Sequence, residues 1–230
     1  MRHLLLAWVT LAACFMAAPA SAAWHRADSH HFVIYSDGDR RTLEEFARRA
    51  EMFDALFRQY FNVAPDDNPH RLTIYLLSDS EDVAELAGDD EGSIAGFYHA
   101  DSEGSYAVAN RERGGGRTAL TGETVLYHEY VHHLMFHHFT YAYPPWYREG
   151  FAEYFATATF TSRGDWTLGE PANHRAAGLR TVNIPLDRVL FGSPAGLNSQ
   201  AADAYYGRSW LMVHMFANDP ALTSSLNTYL

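Results

Sequence analysis

The spacing of apolar residues in the first half of the chain alternates between the repeat of a strand and that of a helix. Residues 30–39 (HHFVIYSDGD) and 71–78 (RLTIYLLS) have the alternation and composition of strands. Between them, the apolar side chains of residues 40–61 recur at the spacing of an amphipathic helix. A second helix is expected to start at Ser80, as its N-cap, and to stop at Gly88.

The second half of the chain is dominated by helical patterns. Residues 94–110 predict two short strands around an Asp-Ser-Glu-Gly turn, and a loop with three consecutive glycines follows. Helices are then expected at residues 121–138, 146–157 and 199–219, with a last short helix from Pro220. Two consecutive prolines separate the first two of these helices, which lets the second fold back against the first.

This order of elements favours an α+β fold. Strands and helices mix in the N-terminal part and helices follow, so we expect a small N-terminal mixed sheet packed on a helical half. With 230 residues, 47% of them hydrophobic, the chain is long enough for one domain with a substantial core. No internal repeat or linker interrupts it, and residues 23–230 are expected to form a single domain.

The first 22 residues have the features of an export signal. A basic start precedes a largely apolar run at residues 4–18, and the small residues 20–22 (ASA) form a cleavage site, which predicts cleavage after Ala22. Alternatively, the lipobox-like LAAC at residues 11–14 makes Cys14 a lipid anchor. No later segment is long and apolar enough for a transmembrane helix, so a periplasmic or secreted protein is expected.

Composition narrows the chemistry that is available. Cys14 is the only cysteine, so a chain cleaved after Ala22 has no disulfide, no thiolate metal ligand and no cysteine nucleophile. A metal site must then use His, Asp and Glu. The 28 acidic residues outnumber the 17 basic ones, all of them Arg, and no basic cluster stands out. This balance disfavours binding to nucleic acid or to anionic membranes.

The most informative stretch is VLYHEYVHHLMFHHF, residues 125–139, which contains five histidines and the pattern HExxH at His128, Glu129 and His132. Residues at i and i+4 share one face of a helix, so the two imidazoles can converge on one zinc ion. Glu129 lies beside them and can act as a general base without being a ligand. Because HExxH also occurs by chance, a structural helix with incidental histidines remains an alternative.

A catalytic zinc site needs a third protein ligand. In PPWYREGFAEYF the next predicted helix places Glu149 and Glu153 at i and i+4, on one face. The gap of 16 residues between His132 and Glu149 accommodates the rest of the first helix and a turn. The continuation HExxHxxGxxH does not compete, since Met135 stands where that pattern has glycine.

HEYVH followed by WYREGFAEYF resembles the gluzincin metallopeptidases, in particular the aminopeptidase N relatives and the peptidase MA-like bacterial proteins. The resemblance implies a zincin-like fold and Zn²⁺ bound by His128, His132 and Glu149. It implies a hydrolase that cleaves a peptide or protein substrate with a zinc-bound water activated by Glu129. It also implies that Glu153 holds a ring nitrogen of a ligand histidine, His128 in particular, the alternative being a surface carboxylate.

Two further assignments follow from the same resemblance. DAYYGRSW, residues 203–210, is similar to the stretch that supplies an oxyanion-stabilising tyrosine in these families. Tyr206 is expected in that role, with Tyr205 as the second choice and a core aromatic as the alternative. The strand at Gly96, Phe97 and Tyr98 corresponds to the edge strand that pairs with extended substrate. The GAMEN-like motif of aminopeptidases is missing, which favours an endopeptidase or a narrow-substrate hydrolase.

The other histidines discussed are expected to be packing or surface residues, namely those at positions 30, 31, 133, 137, 138 and 214. Arg148 offers a contact for a substrate carboxylate, although a surface salt bridge is the first expectation. A second class of function is a zinc-binding scaffold or binding protein without useful turnover. Glu129 favours the enzyme, because a binding protein has no need of a base at that position.

Overall fold

The computed structural model describes residues 24–64, 70–89, 95–100, 104–111, 120–139 and 142–230. The predicted export signal at residues 1–22 and the lipobox cysteine Cys14 lie outside these ranges, as does most of the glycine-rich loop. Among the described residues, no helix combines the length and the apolar composition that a bilayer-spanning segment needs.

Five strands form a mixed sheet near the start of the described chain. They are β1 His25–Asp28, β2 Phe32–Ser36, β3 Leu72–Leu77, β4 Gly96–His99 and β5 Tyr106–Asn110. The order across the sheet is β1-β2-β3-β5-β4. Strands β2, β3 and β5 are parallel, and β1 and β4 pair antiparallel at the two edges. The sequence predicted the last four of these strands and missed β1, whose HRAD sequence lacks an apolar alternation.

Helices make up most of the remainder. They are α1 Arg40–Phe61, α2 Ser80–Ala87, α3 Gly122–His138, α4 Pro145–Ala156, α5 Ala176–Thr181, α6 Leu186–Phe191, α7 Ser199–Asn218 and α8 Pro220–Tyr229. A small antiparallel ribbon of β6 Thr159–Phe160 and β7 Trp166–Thr167 follows α4. The predicted α+β arrangement, a small N-terminal mixed sheet followed by a helical half, is confirmed at this level.

Side-chain caps explain why the helices near the sheet start where they do. Asp39 caps α1 by accepting a hydrogen bond from the Thr42 N–H at 2.9 Å. The cap of α2 is Asp79, which accepts from two backbone N–H groups, so the prediction of Ser80 was wrong by one residue. Asp and Ser both cap well, and here the carboxylate takes the position. Gly88 ends α2, as predicted, and adopts the left-handed conformation there.

The main core lies between the sheet and helices α1 and α3. Strand β3 buries Leu72, Ile74 and Leu76 in this core, as expected for a strand with side chains that alternate between two faces. The predicted apolar face of α1 packs there, including Leu43, Phe46, Phe53 and Phe57. Helix α2 packs on strands β3, β4 and β5. The sheet thus provides a rigid support for α3.

Helix α4 is packed between α3 and α7. It begins at Pro145, one residue earlier than predicted, because proline is well tolerated in the first turn of a helix. Gly150 allows a close approach to α7: a Cβ atom there would lie 2.2 Å from the Ser209 carbonyl oxygen. This contact fixes the distance of α4 from α7 and so positions the face of α4 that looks towards α3.

Candidate metal centre and active site

Helix α3 carries the HExxH motif and is anchored along the side that faces the core. Thr121 caps the helix by accepting a hydrogen bond from the Thr124 N–H at 3.1 Å. Tyr127 stacks on Phe53 of α1, and Tyr130 packs against Phe32 of β2. These aromatic contacts fix the rotation of α3 about its axis, so that the face with His128 and His132 is turned towards α4.

Three ligand-type atoms meet between α3 and α4. The Nε2 atoms of His128 and His132 are 3.2 Å apart. Each of them is 3.3 Å from Oε2 of Glu149. The three side chains are largely buried, with exposed fractions of 11%, 16% and 12%. Of the two glutamates that the sequence offered, Glu149 is the one that joins the histidines.

This triangle fits a zinc ion. Tetrahedral coordination with donors about 2.0–2.1 Å from zinc places ligand atoms about 3.3–3.4 Å apart, and two imidazoles with one carboxylate are a usual donor set. Without a cation or a shared proton, nitrogen lone pairs and a carboxylate this close repel each other. His128, His132 and Glu149 are the donors that meet here among the described residues, which leaves one tetrahedral position for a water or a substrate.

A second group, His31, Glu51 and Asp54, also brings ligand-type atoms within 4.8 Å of one another, but its atoms are already paired. The Nδ1 atom of His31 is 2.7 Å from Oε2 of Glu51. Asp54 accepts hydrogen bonds from Nε of Arg58 at 2.7 Å and from the Tyr130 hydroxyl at 2.8 Å. The Arg58 guanidinium supplies the positive charge that a metal would bring, so His31 takes part in an ion-pair network, in line with its predicted structural role.

Glu153 lies one helical turn beyond Glu149 and is 1% exposed, so it is not a surface carboxylate. Its Oε1 atom is 3.2 Å from Nδ1 of His128, within ion-pair distance although not aligned for a hydrogen bond. A proton on Nδ1 facing Glu153 leaves the Nε2 lone pair directed at the three-atom centre. The position of Glu153 therefore favours the tautomer of His128 with the proton on Nδ1.

Two neighbours of Glu153 were missed by the sequence analysis. His174 Nε2 lies 2.8 Å from Oε2 of Glu153, and Nη2 of Arg175 donates to Oε1 at 2.6 Å. Arg175 also donates to Asp203 of α7 at 3.0 Å. His174 and Arg175 belong to a single 3-10 turn between α4 and α7, where the sequence predicted no helix. No repeat or spacing in the sequence links these two adjacent residues to Glu153.

The pKa values of the side chains in this cluster reflect a strongly negative electrostatic potential at its centre. Burial disfavours the charged form of Glu153, but the positive charge of Arg175 and the close imidazoles of His128 and His174 hold its pKa well below the ordinary range. Burial likewise opposes ionisation of Glu149, whose pKa is nevertheless lowered by His128 and His132. For His128, Glu149 and Glu153 outweigh burial and raise the pKa to about 10. The centre therefore favours a positive charge between its ligand atoms.

Glu129 borders the two cavities next to this centre. Burial raises the pKa of its carboxyl, while the positive charges of His128 and His132 oppose the rise. No hydrogen bond from the described residues engages the Glu129 carboxylate. Such a carboxylate beside a candidate metal position has the chemistry of a general base.

The structure separates the two candidate tyrosines. The Tyr206 ring lies edge-on to His128, with centroids 5.8 Å apart, and lines a cleft of about 670 Å³ with Glu129. Arg175 lies over the same ring at 4.7 Å. Tyr205 is fully buried and its hydroxyl donates towards the carbonyl oxygens of Val189 and Gly192. Of the two tyrosines, Tyr206, the first choice from the sequence, is thus the one beside the candidate metal centre.

Strand β4 is an edge of the described sheet and runs next to α3. Gly96 approaches α3 so closely that a Cβ atom would lie 2.2 Å from Cγ1 of Val125. The Asn110 N–H donates to the Ala95 carbonyl, so by antiparallel alternation the backbone of Phe97 bonds to β5. Gly96 and Tyr98 then direct their backbone groups to the open edge. Phe97, by contrast, has no group at the open edge. Its backbone pairs with β5, and its side chain lines a separate cavity with Tyr75 and Leu86.

The remaining histidines do not join the centre. His133 is buried and its Nδ1 atom lies 2.9 Å from the Tyr98 hydroxyl, which makes it a packing residue as expected. His214 stacks on Trp210, with ring centroids 4.8 Å apart.

The predicted surface salt bridge of Arg148 is not found among the described residues, and its Nε atom is buried without a hydrogen-bond partner.

No protein-family model and no curated protein sequence matches the chain. The case for a function therefore rests on the geometry of these residues.

Proposed function

We propose that this protein is a zinc-dependent metallopeptidase of the gluzincin type, with His128, His132 and Glu149 as the zinc ligands. The observation that carries the proposal is the triangle of ligand atoms with edges of 3.2–3.3 Å, because three independent side chains meet at the spacing of a tetrahedral zinc site. The order of the elements along the chain also supports a zincin-like fold. A sheet with an antiparallel edge strand comes first, the HExxH helix follows, and the next helix carries the third proposed ligand.

The zinc ion, when bound, supplies a Lewis acid that polarises a carbonyl group and lowers the pKa of water. Glu129 accepts a proton from the attacking water as the new C–O bond forms at the peptide carbonyl. It then delivers that proton to the amine nitrogen as the C–N bond breaks, so that atoms and charges balance over the reaction. Its position beside His128 and its place in the lining of both cavities support this role.

Tyr206 and strand β4 complete the proposed site. Burial is the main cause that raises the Tyr206 pKa, so its hydroxyl keeps its proton at neutral pH and can donate to the oxyanion. The open edge of β4 binds an extended peptide through the backbone groups of Gly96 and Tyr98. Glu153, with Arg175 behind it, keeps His128 in the orientation that ligation needs.

The alternative is a zinc-binding scaffold that has this site but no useful turnover. Glu129 weighs against it, since a buried carboxylate whose pKa is raised mainly by burial costs stability and contributes nothing to ligation. An incidental HExxH in a structural helix fits less well still, because it gives no reason for Glu149 to converge on both histidines.

The Glu129→Gln variant tests the enzymatic role. Wild type and variant are loaded with zinc, their metal content is measured, and each is incubated with an unfolded protein whose fragments are identified by mass spectrometry. We expect equal zinc content and cleavage by the wild type alone. Zinc binding with no cleavage by either protein would favour the scaffold, and equal cleavage by both would remove Glu129 from the mechanism.

A further inference from the structure

A second cavity, of about 240 Å³, opens next to the candidate metal centre beside His132 and Glu149. The Tyr206 cleft, by contrast, borders His128. The two spaces share Glu129, so the proposed metal position lies where they meet. Most walls of the second cavity are aromatic or apolar, and they include Tyr98, Met135, Phe136, Phe139 and Tyr143.

Arg148 is the cationic side chain of this cavity, which we name the Arg148 cavity. Its Nε atom is buried without a hydrogen-bond partner, and it forms no ion pair with any described residue. Two other arginines with little exposure are neutralised: Arg58 pairs with Asp54 at 2.7 Å and Arg175 with Glu153 at 2.6 Å. Arg208 also has a buried Nε without a partner, but its Nη2 donates to Oδ1 of Asn183 at 3.1 Å. A guanidinium that is partly desolvated and unpaired is costly to keep, so a ligand that supplies its partner is the simplest explanation.

The chemistry of the Arg148 cavity points to a carboxylate. A guanidinium presents a planar set of N–H donors that matches the two oxygens of a carboxylate, and apolar walls strengthen the attraction by excluding water. Arg148 also lies in the first turn of α4, where the helix dipole adds a positive potential. The aromatic walls suit an apolar side chain that lies next to the charged group.

Strand β4 connects this cavity to the other cleft. Gly96 lines the Tyr206 cleft and Tyr98 lines the Arg148 cavity. Two residues of an extended chain span about 7 Å. A peptide that pairs with the open edge of β4 therefore passes from one cleft, over the proposed metal position, into the Arg148 cavity within two or three residues.

We propose that the Arg148 cavity binds a carboxylate of the substrate, one or two residues from the bond that is cleaved, together with an apolar side chain. The proposal rests on the proposed function for its place in catalysis, and it names the substrate class: peptides with either a free C-terminus or an Asp or Glu side chain at that position. Chemically the two sources present the same group, and binding experiments separate them.

Three small peptides serve as probes: N-acetyl-Phe-Ala with a free terminal carboxylate, N-acetyl-Phe-Asp-amide with a side-chain carboxylate, and N-acetyl-Phe-Ala-amide with neither. Their binding to the zinc-loaded full chain is measured by ligand-observed NMR, with wild type, Arg148→Gln and, as the control, Arg208→Gln on α7. Zinc content and circular dichroism are recorded for each protein, and the uncharged Arg148→Met replaces Arg148→Gln if the latter does not fold.

We expect one or both carboxylate peptides to bind at least about tenfold more tightly than the uncharged one, and Arg148→Gln to abolish that difference. Arg208→Gln should leave it intact. Equal binding of the three probes, or a carboxylate preference that survives in the Arg148 variant with unchanged zinc, overturns the proposal; the latter result would assign the carboxylate to the metal. Because no turnover is needed, these outcomes do not depend on peptidase activity, and cleavage without this preference would leave the proposed function standing.

Discussion

Among single residues, Glu153 connects a candidate metal ligand to the structure that surrounds the site. It reaches His128 on α3, His174 and Arg175 in the 3-10 turn, and through Arg175 it is linked to Asp203 on α7. Burying one carboxylate among so many partners is stable only while each keeps its place, because an unpaired buried charge is costly. The orientation of one candidate ligand thus depends on residues from three parts of the chain.

Glu153→Gln is expected to weaken zinc binding by about 10–100-fold, since a neutral amide no longer favours a proton on Nδ1 of His128. The unfolding free energy should fall by up to about 3 kcal/mol, because Arg175 then retains only Asp203 as its charged partner. Zinc affinity is measured by competition with a chromogenic chelator, and stability by denaturant unfolding. Exposed Glu170→Gln is the control, and unchanged zinc affinity in Glu153→Gln would contradict the role given to Glu153.

Tyr206→Phe and Tyr205→Phe form a matched pair of neighbouring substitutions. If the Tyr206 hydroxyl donates to the oxyanion, its removal should lower kcat by on the order of 10²-fold with the zinc content unchanged. Tyr205→Phe should instead reduce stability by about 1 kcal/mol, because carbonyl oxygens of Val189 and Gly192 lose their donor, and leave kcat near that of wild type. Equal kcat for the two variants would count against Tyr206 as the donor.

Among the secondary-structure elements, α4 is decisive because it presents Glu149 and Glu153 to α3 while packing against α7 with its other side. Its hydrophobic pattern alone does not specify this placement, since the helix is buried on several sides. Gly150 supplies the missing constraint, because only a residue without a side chain fits against the Ser209 carbonyl.

Gly150→Ala is expected to destabilise the protein by about 1–3 kcal/mol and to reduce zinc affinity. Helix propensity by itself would favour alanine by about 1 kcal/mol. The Cβ atom would, however, lie 2.2 Å from a backbone oxygen, so α4 must shift away from α7 and carry Glu149 with it. Thermal unfolding followed by circular dichroism measures the effect, and a rise in Tm would show that propensity outweighs this contact.

For the whole molecule, acid stability is linked to the network that joins His31, the residue before β2, to α1 and α3. Although burial opposes ionisation, hydrogen bonds from the side chain and backbone of His31 lower the pKa of Glu51 to about 2, from an ordinary value of 4.5. Folding therefore favours the ionised form of Glu51. Its contribution is complete above about pH 4.5 and is lost as the pH falls towards 2.

Glu51→Gln should accordingly cost about 1 kcal/mol of unfolding free energy at pH 7, a modest value because the pair is partly exposed to solvent. The difference from wild type should shrink when both are measured near pH 2.5. Denaturant unfolding at the two pH values, with zinc removed from both proteins by a chelator, provides the comparison. A difference that grows on acidification would reverse the sign derived for Glu51.

The sequence was most informative where local chemistry determines the structure. The bounds of α1, the HExxH face of α3 and the glycine end of α2 depend on spacing and caps within a few residues, and each was predicted closely. Strand β1 was not predicted, because its pairing with β2, and not its own composition, makes it a strand. The roles of His174 and Arg175 were not predicted either. These residues lie 21 and 22 positions after Glu153 and meet it only through tertiary folding, which no local pattern encodes.

The stoichiometry of bound zinc tests the central claim most directly. The full chain is dialysed against trace zinc and then against metal-free buffer, and its metal content is measured by mass spectrometry beside that of His132→Ala. About one zinc ion per chain is expected for the wild type, with little or none in the variant. Wild-type protein that is folded and retains no zinc would contradict the metal centre and, with it, the proposed peptidase.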